Sequence, residues 1–303
     1  MNYLDVYRQC MQIRLFEKKV ESEFSLGRMR GTTHGCIGQE IIPVLVMKEI
    51  DYGTDYITGT HRCHGQVIAY TKDPYRLACE MMGRKDGFVK GLGGSQHIKV
   101  DHYITNGVTG GMASVGVGIA MGLKKKNKRG IVIAFLGDGG VNEGYVQESM
   151  NMSSHFGLPI LFVCENNGYA MSTPTDIYSA GNFKNRVTAL EIEYKEAFTS
   201  APEGLEKQIS DAVHYVREKG LPCFLDVHTA RLCGHSKSDA MEYMSEEEKR
   251  KNQLEDPIVW LSKKLSEDEI DAIRLRLSKE IDDVFERANN CEESFVHSSG
   301  RLK

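Results

Sequence analysis

The clearest periodic signals along the chain lie in its middle. Residues 131–136 (IVIAFL) and 160–165 (ILFVCE) are short, continuous apolar runs. Residues 142–156 between them carry apolar positions at helical spacing until Gly157-Leu158-Pro159 breaks the pattern. Unbroken apolar runs separated by a helix predict buried parallel strands in a βαβ unit. A further run at 223–231 (CFLDVHTAR) predicts another strand, after a helix over 203–219. Toward the N-terminus, residues 3–26 show a helical pattern that stops at Gly27, residues 34–50 predict a second helix started or interrupted near Pro43, and residues 74–83 predict a short one. Residues 51–65 and the glycine-heavy GFVKGLGGSQHI show little periodicity and predict loops. From Gly107 to Gly122 glycines recur between small apolar residues, which predicts a helix packed closely against another backbone; Gly110, Gly111, Gly116, Gly118 and Gly122 are read as packing positions. Residues 232–246 are polar, residues 266–289 predict a charged amphipathic helix opened by the capping box Ser266-x-x-Glu269, and the tail beyond Asn289 is predicted to be loose. Together these elements predict an α/β fold: a mostly parallel sheet with helices on both faces, one domain over residues 1–303, with helical arms at 1–50 and 246–303.

Composition excludes several classes of function. The 303 residues are 41% hydrophobic and 26% charged, as in an ordinary globular chain. A net charge of −4 supplies no basic field for nucleic acid or an anionic membrane. No apolar run approaches the roughly 18 residues that a membrane-spanning helix needs. The N-terminal stretch contains acids and has neither a long apolar segment nor an Arg/Ser-rich one, so no secretory or organelle signal is expected. The eight cysteines form no CxxC pair and are expected to be reduced thiols, consistent with a cytoplasmic protein. No GxGxxG follows a predicted strand, so NAD is not expected on this chain.

Candidate chemistry sits where the two central strands end. The first is followed by Gly137-Asp138-Gly139, the second by Asn166-Asn167-Gly168-Tyr169. In open parallel sheets ligands bind at the carboxyl ends of the strands, and the intervening helix returns the chain so that both ends share one edge. An aspartate, an asparagine amide and a nearby main-chain carbonyl are hard oxygen ligands suited to Mg²⁺ or Ca²⁺. The glycines beside Asp138 let a phosphate approach N–H groups at a helix start. Either stretch alone is compatible with an ordinary turn. The pair, each behind a predicted strand, favours half of a metal–diphosphate clamp.

The span from Gly137-Asp138-Gly139 to Asn166-Asn167 resembles the thiamin diphosphate motif, GDG followed downstream by NN. The wider chain resembles the α subunit of the E1 component of 2-oxo acid dehydrogenase complexes, a group that includes the pyruvate, branched-chain and acetoin dehydrogenases. The matching pieces run in order: IRLFEKKV, RGTTHGCIGQE, THRCHG, GLGGSQHI, NGVTGG, FLGDGGVNEG, LPILFVCENNGYAMSTP and RLCGHSKSD. The resemblance implies that Asp138, Asn167 and the carbonyl of Tyr169 bind Mg²⁺, with Gly137 and Gly139 at the cofactor. It implies that Arg62 contacts the diphosphate with His61 beside it, and that Gly107 and Thr109 offer main-chain groups to the aminopyrimidine. His235 would lie on the active-site loop, with His64 and His34 toward the substrate, these three being the candidate catalytic groups. It also implies a β subunit that supplies the glutamate activating the aminopyrimidine, an α2β2 assembly, and a lipoyl-bearing acyltransferase as acceptor.

Without the resemblance, His61, His64 and His235 would pass for residues of polar loops, Gln39-Glu40 for helix structure, and Met171 for core or for a bulky group pressing on the cofactor. Two departures from the family pattern bear on substrate and acceptor: FTSAPEG at 198–204 replaces an Asp-Gly-x-Asp, and Met244 follows Tyr243 where an arginine is usual. Two further functions therefore stand beside the E1 reading: a thiamin-dependent decarboxylase or carboligase subunit without a lipoyl acceptor, and a non-catalytic binding paralogue.

Overall fold

The computed structural model describes residues 1–295. Its strands are β1 (Tyr56–Gly59), β2 (Lys99–Val100), β3 (Tyr103–Thr105), β4 (Val132–Gly137), β5 (Ile160–Asn166), β6 (Tyr169–Ala170), β7 (Thr173–Pro174), β8 (Glu193–Phe198) and β9 (Cys223–His228). Seven of them form one sheet in the order β2-β3-β1-β4-β5-β9-β8, while β6 and β7 pair as a small antiparallel ribbon. The neighbours from β3 through to β8 all pair parallel. The chain is thus α/β with a mostly parallel sheet flanked by helices, as its apolar runs predict. Among the described residues no helix is long and apolar enough to cross a membrane.

The residues divide into two compact units. One gathers residues 1–44, 61–100 and the chain from 231 onward; the other gathers 45–60 and 101–230. In the second unit β4 and β5 are buried along nearly their whole length, which explains their unbroken apolar sequences. Val117, Ala134, Met150, Phe162 and Phe224 belong to the core cluster that the sheet shares with its covering helices. The helix Gly111–Lys125 approaches closely: a Cβ at Gly116 would meet Ile160 Cδ1 and Thr58 Oγ1 at 3.3 Å and Val132 Cγ1 at 3.4 Å. Gly110 is as tight, a Cβ there meeting Val146 Cγ2 at 2.7 Å, and Gly111 would meet Val108 Cγ1 at 3.0 Å, whereas Gly118 and Gly122 face open space, so the packing role belongs to Gly110, Gly111 and Gly116.

In the first unit the helices Tyr3–Ser25 and Glu267–Asn290 bury matching stripes, with Phe16 and Phe285 rings 5.0 Å apart. The capping box of Ser266 and Glu269 is present. Arg14 ties this unit together. It pairs with buried Glu40 and, at 2.9 and 3.1 Å, with Asp256, whose side chain also caps the helix Pro257–Ser262. Glu40 thus has a structural role, its acid pushed up by burial and pulled back by Arg14.

Several local expectations differ from the structure. Residues 51–65 contain β1 and the start of the helix His64–Thr71, four strand residues being too few to show a period. The second helix begins only at Ile41, two residues before Pro43, because a proline is tolerated in a helix's first turn. β8 is half-exposed and charged, so it carries no apolar run. The tail is pinned as far as it is described: Lys85 N–H donates to Glu292 O, Ser294 N–H to Gly83 O, and Arg84 bridges Glu293. The rest of the predicted loose tail, from residue 296, lies outside the described residues.

Candidate functional site

In the second unit the parallel register sets Gly137 of β4 beside Glu165 of β5, so the chain leaves both strands at one edge. Asp138 opens the short helix Asp138–Val141 and is 2% exposed. Its Oδ2 accepts hydrogen bonds from Thr175 Oγ1 and Tyr178 OH, both at 3.0 Å. Burial pushes its acid up, and these hydroxyls, with local backbone N–H groups, only partly offset the push. No lysine or arginine pairs with Asp138 among the described residues. A buried carboxylate served only by neutral donors fits a cation, so the donor set suits a hard divalent ion. Asn167 follows β5, its Oδ1 accepting from Tyr169 N–H at 3.3 Å, and Gly168 at φ +79° turns the chain back. The two loops touch: a Cβ on Gly139 would lie 2.9 Å from Ala170 Cβ. The loop with Gly107 and Thr109 also closes on this region, because Gly140 abuts Gly110 and Tyr145 OH donates to Thr109 O. Met171 is 63% exposed at φ +54°, which overturns its reading as core.

In the first unit Arg62 is nearly buried. It donates to Gly35 O and, at 3.2 Å, to His235 O, with His235 Nδ1 at 3.3 Å. The imidazoles of His34, His61 and His235 converge, with ring centroids 4.8 to 5.6 Å apart. Burial, then the Arg62 charge, holds all three low: His34 near 3, His61 near 2 and His235 near 4. All are neutral at neutral pH. Gln96 reaches His34 Nδ1 at 3.1 Å.

His64, expected toward the substrate, is fully buried with Nδ1 3.0 Å from Glu17, and Glu17 also accepts from Cys36 N–H. His64 Nε2 is buried without a hydrogen-bond partner among the described residues. Burial pushes Glu17 up, but His64 and the Cys36 N–H outweigh it, and the carboxyl is held below its ordinary value.

Sequence reasoning missed the supports. Asp239 organises the His235 loop by accepting from His235 N–H at 2.6 Å, Tyr243 OH at 2.7 Å and Met241 N–H at 2.8 Å. Arg231, 1% exposed, donates to Tyr243 OH. Glu17 was legible as a carboxylate on the apolar face of an amphipathic helix. Thr175 and Tyr178 carried no signal, since their role exists only once the chain turns back at Gly168. The two departures are also placed: Phe198 ends β8 and is half-exposed, and Met244 is buried.

A buried carboxylate at the carboxyl edge of a parallel sheet, on a chain that also carries an arginine-backed cluster of neutral imidazoles, is an arrangement compatible with the ligand-binding α/β enzymes. The chain belongs to the dehydrogenase E1 component family, whose sequence profile matches residues 8–296. This is the thiamin diphosphate-dependent family of 2-oxo acid dehydrogenases that its motifs resemble. The chain is 33% identical over 273 residues to the pyruvate dehydrogenase E1 component subunit alpha of Rickettsia felis, covering 86% of this chain and 81% of that protein. It is 33% identical over 292 residues to the protein of that name from Rhizobium meliloti, covering 93% and 82%. To the mitochondrial type I alpha subunit of Ascaris suum it is 32% identical over 311 residues, covering 96% and 75%.

Proposed function

We propose that this chain is the α-type subunit of a heteromeric enzyme that decarboxylates a 2-oxo acid and passes the acyl group to a lipoyl acceptor. Pyruvate is the first candidate, because the relatives above are named for it. Thiamin diphosphate, when bound, supplies the carbanion that adds to the substrate carbonyl and the ring that takes up the electron pair. Asp138, Asn167 and the Tyr169 carbonyl would hold Mg²⁺, and Gly137 and Gly139 would leave room for the diphosphate. Gly107 and Thr109 would offer main-chain groups to the aminopyrimidine. The Arg62 guanidinium is suited to a phosphate oxygen pair. Neutral His34, His61 and His235 would donate and accept protons without adding charge, and the Glu17–His64 pair would position the segment that carries Arg62. A β subunit would supply the carboxylate that activates the aminopyrimidine.

The observation that carries this reading is the buried Asp138 carboxylate, at the end of β4, with hydroxyls and no cationic partner among the described residues. Calorimetry on the chain co-purified with its β partner tests it. Thiamin diphosphate should bind only when Mg²⁺ is present, and equal binding by Asp138→Ala would sink the metal assignment. Product analysis with pyruvate, branched 2-oxo acids and acetoin, with and without a lipoyl domain, then separates the E1 reaction from a free decarboxylase or carboligase.

A further inference from the structure

A second cluster of metal-ligating groups lies elsewhere on the same sheet. Glu196, Asp226 and His228 come from the ends of β8 and β9, where the parallel ladder pairs Glu196 with Asp226 and Phe198 with His228. Their ligand atoms all lie within 4.8 Å of one another. His228 Nε2 stands 2.9 Å from Glu196 Oε1 and 3.8 Å from Asp226 Oδ2. The His228 ring stacks on Phe198, with centroids 4.8 Å apart and planes 13° from parallel, which holds Nε2 toward the carboxylates. Asp226 is 3% exposed and is oriented from behind by Asn166 Nδ2 on Oδ1 and Tyr194 OH on Oδ2, both at 3.0 Å. Each carboxylate oxygen has a second lone pair, so these bonds leave Asp226 able to ligate. Among the described residues no lysine or arginine pairs with Glu196 or Asp226.

We propose that Glu196, Asp226 and His228 form a site for a first-row divalent transition ion of the Zn²⁺ type. A tetrahedral ion with bonds of about 2.1 Å keeps its ligand atoms roughly 3.4 Å apart, and the observed 2.9 and 3.8 Å straddle that separation. Small side-chain rotations therefore suffice, and exposed Glu196 leaves the remaining positions to water. One imidazole with two carboxylates favours Zn²⁺ over Mg²⁺ or Ca²⁺, which prefer all-oxygen sets. The three-imidazole cluster of the first unit is the weaker candidate for a dication, because the Arg62 charge that repels a proton there repels a metal too. The ion would clip the C-terminal end of β8, the last strand of the sheet, to its one neighbour β9. This site is independent of the cofactor reading, since none of its ligands belongs to the Asp138 pocket.

Zinc titration of the chelator-stripped full-length chain by calorimetry, in excess Mg²⁺, tests the proposal against Glu196→Gln and His228→Gln. Neither side chain is buried, so both variants keep the fold, which circular dichroism checks. The wild type should bind one Zn²⁺ more than either variant, or bind it on the order of 100-fold more tightly, a loss in the range seen on damaging a zinc site. Zinc should also slow hydrogen exchange across residues 193–198 in the wild type alone. Equal stoichiometry and equal affinity in all three proteins would overturn the assignment.

Discussion

The Asp138 pocket and the Arg62–histidine cluster solve opposite electrostatic problems. The first buries an anion and surrounds it with hydroxyls, so its unmet need is a positive charge. The second nearly buries a guanidinium beside three imidazoles that are held neutral, so its own fixed charge is positive. They also differ in construction. Asp138 and Asn167 sit where they do because two hydrogen-bonded strands end there. The histidine cluster is assembled from loops, held by Glu17, Glu40 and Asp239 and by Arg14, residues far apart in sequence. A ladder places a side chain by register alone, whereas a loop site is only as firm as the ion pairs under it.

The sharpest way to break this contrast is to remove the loop site's foundation. Arg14→Met leaves buried Glu40 and Asp256 unpaired and should cost about 3–5 kcal/mol in urea unfolding. The largest effect on the strand-end site is on binding. Asp138→Ala should weaken Mg²⁺-dependent thiamin diphosphate binding by on the order of 100-fold, the loss typical of a missing charge-stabilising group. Gly139→Ala places a Cβ against Ala170 and should cost roughly 1–3 kcal/mol while loosening the same pocket. Asp138→Asn should do the reverse for the metal-free protein. Burial raises the Asp138 acid above its unfolded value, so the charged form opposes folding at neutral pH. Neutralising it should therefore raise the stability of the metal-free protein while abolishing metal dependence, the usual conflict between a site and its scaffold.

The smallest effect separates the two regions by pH. The folded-state values of His34, His61 and His235 lie below the unfolded value near 6.5, so between about pH 4 and 6.5 the unfolded chain binds more protons. Stability should fall as pH drops through that window and level off above it. His34→Gln should flatten the slope, whereas Asp138→Asn should steepen it, because the raised Asp138 acid pulls stability the opposite way over the acidic end of that window. A slope that survives His34→Gln, His61→Gln and His235→Gln combined would remove the cluster as its origin.

The same contrast explains what the sequence made legible. β4, β5 and β9 announced themselves because strands covered on both faces need unbroken apolar runs, and the GDG and NNGY stretches mark where two of them stop. β8 did not, because it is half-exposed and charged. Of the site residues, Asp138 and Asn167 followed from register, whereas the convergence of His34, His61 and His235 depends on contacts between residues up to 201 positions apart, which no local period encodes. The burial of His64 was hidden for the same reason: its partner Glu17 lies 47 positions away on another helix.

The segmented build of the first unit has a consequence in time. Its ion network joins Arg14 to Asp256, 242 positions later in the chain. At roughly 5–20 residues per second of synthesis, Arg14 emerges about 12–48 s before its second partner. Throughout that interval the helix Tyr3–Ser25 has its early partners, Glu40 for Arg14 and His64 for Glu17, but lacks Asp256 and the helix Glu267–Asn290 that covers part of its apolar stripe, while the strands of the second unit are made in between. The nascent chain can therefore complete its sheet before the helix Tyr3–Ser25 is fully covered, and chaperone demand should centre on the stripe that the helix Glu267–Asn290 later closes.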